Sequence, residues 1–358
     1  MSATIVPGDE GLPRRSGADS EAEMRVVIAP DSFKGSIGAA AAAAAIAAGW
    51  ASVRPSDELV LLPQADGGEG SLDALEAATP GSERVPVGPV TGPDGRPVPG
   101  EWLSLPDGTA VIEMALVSGL PLMAAPDALG ATSRGLGEVM AHAIDAGARR
   151  LLVGIGGSAS TDGGIPVLEA LGDRKPPAGG VVVLTDVTNP LLGRNGAAAV
   201  FGPQKGATAQ DVEVLERRLQ GVAEQLGADP ATPGTGAAGG VGYALHAWGA
   251  ELTSGSAHIA EVTGLTDAEI QASAVVTGEG RFDSQSLQGK VVGGVLGRAT
   301  SPVVLIAGSI QGDPGIPAWS LSDMAGGTAA ALEQPAHWLF AAGAEAAAAV
   351  RDERAPTA

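Results

Sequence analysis

Short, unbroken apolar runs recur along this 358-residue chain, and most of them close on glycine, proline or an acid. RVVIAP (25–30), LVLLP (59–63), RRLLVGIG (149–156), VVVLTD (181–186), SAVVTGEG (273–280) and VVLIAGS (303–309) are rich in Val, Ile and Leu and do not alternate with polar residues. Runs of that kind suit strands covered on both faces, which predicts a mainly parallel sheet and an α/β fold. Helical spacing between them predicts helices over 36–50, 69–79, 135–148, 209–227 and 290–300. The first is almost all alanine, high in helix propensity and low in packing volume, and reads as structural. Residues 81–112 break the alternation: short β runs punctuated by Pro and Gly predict a hairpin-rich insertion. Residues 228–240 read as a flexible or phosphate-facing loop, and the first 23 residues show no periodicity, so the fold is expected to begin near Met24. The length predicts two domains, or one with a large insertion.

Composition narrows the chemistry. Apolar residues make up 44% and charged residues 17%, as in a globular protein, with no apolar run of membrane-spanning length and no signal-peptide order at the N-terminus. A cytoplasmic location is the default. The net charge of −20 argues against nucleic acid or an anionic membrane as partner. With no cysteine, and four histidines without zinc-site spacing, any metal is expected to be a hard, oxygen-bound one, Mg²⁺ first. Only four lysines are present, and Lys34, Lys205 and Lys290 each adjoin a glycine, in FKGS, QKGA and QGKV, so they read as placed charges; Lys175 in DRKPP does not.

The strand ends carry the signal. RVVIAP runs into DSFKGS, LVLLPQ into ADGGEG, LLVGIG into GSASTDGG, VVVLT into DVTNP and SAVV into TGEGRFDSQSLQGK. In open parallel sheets ligands sit beyond the carboxyl ends of the strands, so Asp31, Asp66, Glu69, Asp162, Asp186, Glu279 and Asp283 are expected along one edge. Any one acidic turn of this kind is more often structural, but five such motifs at five strand ends favour a site. Carboxylates so clustered need a cation to stay ionised, and Mg²⁺ carried in with a polyphosphate supplies one. Glycine-flanked backbone N–H groups and three lysines would meet the phosphates, which is the equipment of phosphoryl transfer. The Walker A pattern is absent, because Gly289-Lys290 lacks both the earlier glycine and the following Ser or Thr. GIGGSA (154–159) and GTGAAG (234–239) are weak dinucleotide matches, and Ser158 and Ser160, outside any G-x-S-x-G, suit an anion loop better than a nucleophile.

Taken in order, APDSFKGS (29–36), LPQADGGEG (62–70), VIEMALVSGL (111–120), GGSASTDGG (156–164), DVTNPL (186–191), FGPQKGA (201–207), GAAGGVGY (236–243) and TGEGRFDSQSLQGK (277–290) resemble the bacterial glycerate kinase family, from about Met24 to the C-terminus. The resemblance implies ATP- and Mg²⁺-dependent phosphorylation of D-glycerate, with the 2-hydroxyl favoured over the 3-hydroxyl. It also implies two α/β domains facing a cleft: a flavodoxin-like one with a mainly parallel sheet from 24–64 and 270–358, and an inserted mixed α/β domain from 65–269, after a disordered tail at 1–23. Within that picture the catalytic candidates are Asp186, Asp283 and Lys34, with Asp186 and Asp283 each able to hold Mg²⁺ or take the hydroxyl proton. Gly156, Gly157, Ser158, Lys205 and Lys290 are candidates for the nucleotide, Asp31, Ser32, Arg134 and Arg281 for glycerate, and Asp66, Glu69 and Glu279 for the metal. Two links are shorter than is usual in the family: GDRKPPAGG (172–180), where a hairpin or helix is expected to be missing, and ATSP, between KVVGGVLGRA and VVLIAG. The shortening motivates a second reading, a non-catalytic relative that binds glycerate or nucleotide. A nucleotide-cofactor oxidoreductase resting on GIGGSA leaves the carboxylates unexplained.

Overall fold

The computed structural model describes residues 23–287 and 290–350. The expected N-terminal tail therefore lies outside the described residues but for its last one, as does Gly289 of the QGK motif. Among the described residues eleven strands run in chain order as β1 (Arg25–Pro30), β2 (Glu58–Leu61), β3 (Glu83–Thr91), β4 (Pro97–Ser104), β5 (Thr109–Glu113), β6 (Arg150–Gly154), β7 (Val181–Leu184), β8 (Glu251–Thr253), β9 (Ala274–Phe282), β10 (Val303–Ile310) and β11 (Ala318–Ser320).

They form two sheets. One has the order β11-β10-β9-β1-β2 with every pairing parallel. Counted by its own strands this is the 2-1-3-4-5 order of flavodoxin-like folds, whose switch point falls between β1 and β9. The other has the order β3-β4-β5-β6-β7-β8, antiparallel across β3, β4 and β5 and parallel from β5 to β8. The α/β class, with one parallel and one mixed sheet, is as the apolar runs and the Pro- and Gly-rich insertion suggested. Burial matches strand position: β1, β7 and the first half of β9 are enclosed, whereas β2, at a sheet edge, is half exposed although its sequence reads as buried.

The alanine-rich helix Ala39–Val53 packs along the helix Pro335–Ala349, which sequence reading did not anticipate. Small residues let the two backbones meet. A Cβ on Gly343 would lie 2.4 Å from the Ile46 carbonyl oxygen, and one on Gly49 would collide with that of Phe340. Ile46, Trp50 and Leu339 then close the core on that face of the parallel sheet.

The loop 62–70 links the two sheets at the site. It starts as a continuation of β2, with the N–H groups of Leu62 and Gln64 donating to the carbonyls of Ile28 and Pro30. It ends on the mixed sheet, where Gly67 accepts from the Gly156 N–H at 3.0 Å and packs against Leu184 at the end of β7. The carboxyl edge of one sheet is thereby tied to the carboxyl edge of the other.

Candidate active site

A pocket of about 290 Å³ opens at the carboxyl ends of β1, β9 and β10 and is lined by Asp31, Ser32, Lys34, Asp66, Glu279 and Asp283 among others. Asp31 leaves β1 with its backbone N–H donating to the Gly278 carbonyl at 2.8 Å, and its Oδ1 accepts from the Ser32 N–H at 2.6 Å. Glu279 lies in β9, which runs past SAVVTGEG to Phe282, so Glu279, Gly280 and Arg281 are held by sheet pairing with β10. Gly308 permits this, since a Cβ there would lie 2.3 Å from the Gly280 carbonyl oxygen.

The electrostatics show crowded carboxylates. Burial, reinforced by Asp66, pushes the Asp31 carboxyl well above the usual range against the opposing pull of Lys34. Burial likewise raises Glu279, with the Ser286 hydroxyl, Lys290 and Lys34 opposing and Asp283 adding to the rise. Lys34 is pushed up chiefly by Asp66, whose Oδ2 lies 3.9 Å from its Nζ, and further by Asp31, Glu69 and Glu279. Asp186, just past β7, accepts from the Ser254 hydroxyl at 2.7 Å and the Ser256 N–H at 3.2 Å; burial raises its carboxyl and Asp66 adds to the effect. Asp66 thus acts on Asp31 and Lys34 from one sheet and on Asp186 from the other.

Of the residues singled out from sequence, Asp31, Ser32, Lys34, Asp66, Glu279, Arg281, Asp283 and Lys290 are brought together around this pocket. Arg281 is steered by Gln311 at 2.8 Å and Asp283 at 3.5 Å. Others lie elsewhere. Lys205 is almost fully buried, donating to the Ser158 hydroxyl at 2.8 Å and the Ser160 carbonyl at 2.6 Å, and burial pushes its ammonium down to about 8. Asp162 opposes that shift and is itself held by the Ser133 N–H at 2.7 Å and the Gly164 N–H at 3.0 Å. The expectation that Lys205 and Ser158 meet a phosphate does not agree with this placement; they fasten the 156–164 loop from within. Arg134 begins a helix and pairs with Glu138 and Glu169 outside the pocket. Glu69 is exposed and does not line the pocket. Gly156 serves close approach: a Cβ there would lie 2.6 Å from Gly68 Cα. Gly157 takes the left-handed φ of +74° beside it.

The sequence reading missed Glu113. At the carboxyl end of β5 it is 2% exposed, accepting the Gly70 N–H at 3.1 Å and the Leu72 N–H at 3.0 Å, and burial pushes it up to about 7. Its signal is in the sequence, an acid closing the apolar run TAVIE. The apolar part of the pocket, from Leu321 to Pro335, carried no comparable signal.

Among the described residues no three His, Asp or Glu side chains group into a ready-made metal site. The pocket nonetheless suits a divalent cation that brings its other ligands with it. Among the described residues Glu279 Oε1 is buried without a hydrogen-bond partner, and Asp31, its carboxyl raised by burial, lines the same pocket. Mg²⁺ needs only one or two protein carboxylates when phosphates and water complete its shell.

Comparison with known proteins agrees with these motifs. A family model described as the glycerate kinase family matches residues 26–179 and 173–351, two stretches that meet within the short connector. The glycerate 2-kinase of Escherichia coli (strain K12) is 42% identical over 334 residues, covering 82% of this chain and 87% of its own. The glycerate kinase of Bacillus subtilis (strain 168) is 43% identical over 331 residues, covering 81% and 86%. A crystal structure from Salmonella typhimurium LT2, assigned as a glycerate kinase 2, superposes with a TM-score of 0.73 at 37% identity, over 91% of this chain and 98% of that one.

Proposed function

The chain belongs to the glycerate kinase family, and from that premise we propose that it transfers the γ-phosphoryl group of ATP to the 2-hydroxyl of D-glycerate with Mg²⁺, as a cytoplasmic enzyme. The observation that carries the reading is the pocket itself, in which Asp31, Asp66, Glu279 and Asp283 surround Lys34 and Lys290 at the switch point of a parallel sheet. We also infer that the two sheets are the cores of two domains, 24–64 with 270–358 and 65–269.

In this reading Lys34, kept protonated by the acids around it, offers positive charge to the moving phosphoryl group. Arg281, already oriented by Gln311 and Asp283, receives the glycerate carboxylate, with Ser32 beside it. Among the described residues the Ser32 hydroxyl is buried and has no partner, so it is available to a substrate oxygen. Mg²⁺, held on the Asp66 and Glu279 side, would neutralise phosphate charge. The glycerate hydroxyl attacks phosphorus, the bond to ADP breaks, and the hydroxyl proton passes to Asp186 or Asp283. Asp186 has the raised basicity that suits a base, while Asp283 lines the pocket.

The test is ADP release from MgATP by the purified protein with and without D-glycerate, with EDTA as control and the product assigned by phosphorus NMR. Glycerate-dependent, EDTA-sensitive turnover on the order of 1–10³ s⁻¹ giving 2-phosphoglycerate is expected. A folded sample that binds glycerate without turnover would instead mark a non-catalytic relative, and 3-phosphoglycerate would overturn the choice of hydroxyl.

A further inference from the structure

The pocket is chemically divided along the edge of the parallel sheet. Beyond β1 and β9 its lining is ionic, with Asp31, Lys34, Glu279 and Asp283. Across β10, past the end of β11, it is formed by the short helices Leu321–Met324 and Thr328–Glu333 and by Pro335. That side presents Leu321, Ala331, Leu332 and Pro335, with Thr328, whose hydroxyl lies 3.3 Å from that of Ser322. The Ser322 hydroxyl there is turned away to the Gly308 carbonyl at 2.7 Å. Leu321 and Ala331 are buried, but Leu332 is 53% exposed, a large apolar side chain at the pocket's lip. The two ends sit on different elements: the charges come from the ends of β1 and β9, and the helices of the apolar wall pack against β10.

Of the reactants in the proposed reaction, glycerate is a small hydroxy acid, the triphosphate is anionic and the ribose is polar. Only the nucleobase has an apolar face with which to cover such a wall. Resting on the kinase reading, we propose that the helices 321–324 and 328–333 with Pro335 form the nucleobase subsite, Leu332 covering one face of the purine while the phosphates run back over β10 to Lys34 and Lys290. The C-terminal part of the parallel-sheet half of the chain then sets the affinity for the nucleotide and has no direct part in binding glycerate. The pocket's volume, about 290 Å³, is at the low end for a small-molecule site. It accommodates the phosphate path and one face of the base, leaving the other face to solvent.

The test separates base from phosphate. Binding of ADP and of inorganic pyrophosphate, each with Mg²⁺, is measured by calorimetry on the full-length protein and on Leu332→Ala and Leu332→Glu; Leu332 is exposed enough that both variants should fold, checked by Tm. Expected is a loss of ADP affinity on the order of tenfold in Leu332→Ala and more in Leu332→Glu, with pyrophosphate binding unchanged and the KM for D-glycerate unchanged where turnover is seen. Equal loss for ADP and pyrophosphate, unchanged ADP binding, a loss confined to glycerate, or no ADP binding by the wild type would each overturn the subsite. Because the measurement is of binding, it reads the subsite even if the turnover assay fails.

Discussion

Replacing Glu113 by Gln should change stability and activity in opposite senses at alkaline pH. Glu113 is enclosed, receives two backbone N–H groups at the start of the helix Ser71–Ala78, and titrates at about 7 instead of 4.5, burial being the largest cause, with the charges of Asp73 and Glu69 adding to it. For an acid whose folded pKa is raised, nothing is lost while both states are protonated. Between pH 4.5 and 7 the unfolded chain gives up its proton and the folded chain does not, so stability falls as pH rises; above 7 the full cost applies. At ~1.4 kcal/mol per pH unit that cost is about 3 kcal/mol. Gln is neutral throughout and escapes it, but its amide N–H₂ faces one of the two backbone N–H groups, a mismatch of roughly 1–2 kcal/mol. The variant should therefore gain about 2 kcal/mol on the wild type between pH 5 and pH 8, read by urea denaturation at both values. Turnover should suffer regardless, because Gly70 ends the loop that carries Asp66 and Leu72 lies in the first turn of the helix that follows it. A loop shifted by an ångström costs on the order of tenfold to a hundredfold in kcat/KM. An unchanged stability difference at the two pH values would refute the titration, and wild-type kcat/KM would refute the positioning of the loop.

Other outcomes follow from the same contacts. Lys205→Ala should lower stability by about 3 kcal/mol, seen in denaturant midpoints, because it strips Ser158 and the Ser160 carbonyl of a buried donor and Asp162 of a nearby positive charge; a variant of wild-type stability would show that the buried ammonium is dispensable. Gly156→Ala puts a methyl 2.6 Å from Gly68 Cα, and a fall in kcat/KM on the order of tenfold or more is expected in a protein that still unfolds cooperatively. Asp66→Asn removes the main cause of the raised Lys34 pKa, so the alkaline limb of the kcat/KM profile should move to lower pH; a limb that stays in place would mean that another group sets it.

The strand ends were legible because a parallel sheet imposes two demands at once on a short segment: an apolar run to be buried, and then a loop facing solvent or ligand. Asp31, Asp66, Glu279 and Asp283 stand where that change occurs. Lys205 carried a similar local signal, a lysine beside a glycine, but whether a lysine faces a pocket or a buried hydroxyl depends on residues 45–47 positions away, and no local pattern reports that. The helix Pro335–Ala349 was hidden because its alanines match those of Ala39–Val53 without marking either as a partner; only the close approach at Gly49 and Gly343 shows that the two runs belong together. The pocket's apolar wall was hidden for the opposite reason, since Leu321, Ala331 and Leu332 look like ordinary core.

The two links expected to be short for the family, 172–180 and 299–302, enter the sheets at their amino edges. Residues 172–180 precede β7 and residues 299–302 precede β10, so each feeds the amino end of a parallel strand, whereas Asp31 and Asp186 stand just beyond carboxyl ends and Glu279 lies in the carboxyl half of β9. The site and the two short links are thus on opposite edges. The first link is also tied down: Arg174 holds Asp145 at 2.8 and 2.6 Å and the Leu171 carbonyl at 3.0 Å, its own carbonyl accepts from Trp248 Nε1 at 3.2 Å, and the Gly179 N–H donates to Arg149 O at 2.8 Å. The second is pinned by the Ser301 hydroxyl donating to the Ala272 carbonyl at 2.5 Å. Arg174→Ala should accordingly lower Tm while leaving kcat and both KM values as they were. A kinetic defect in that variant would mean that the amino edge of the mixed sheet communicates with the pocket, and the argument that the short connector is neutral to catalysis would fail with it.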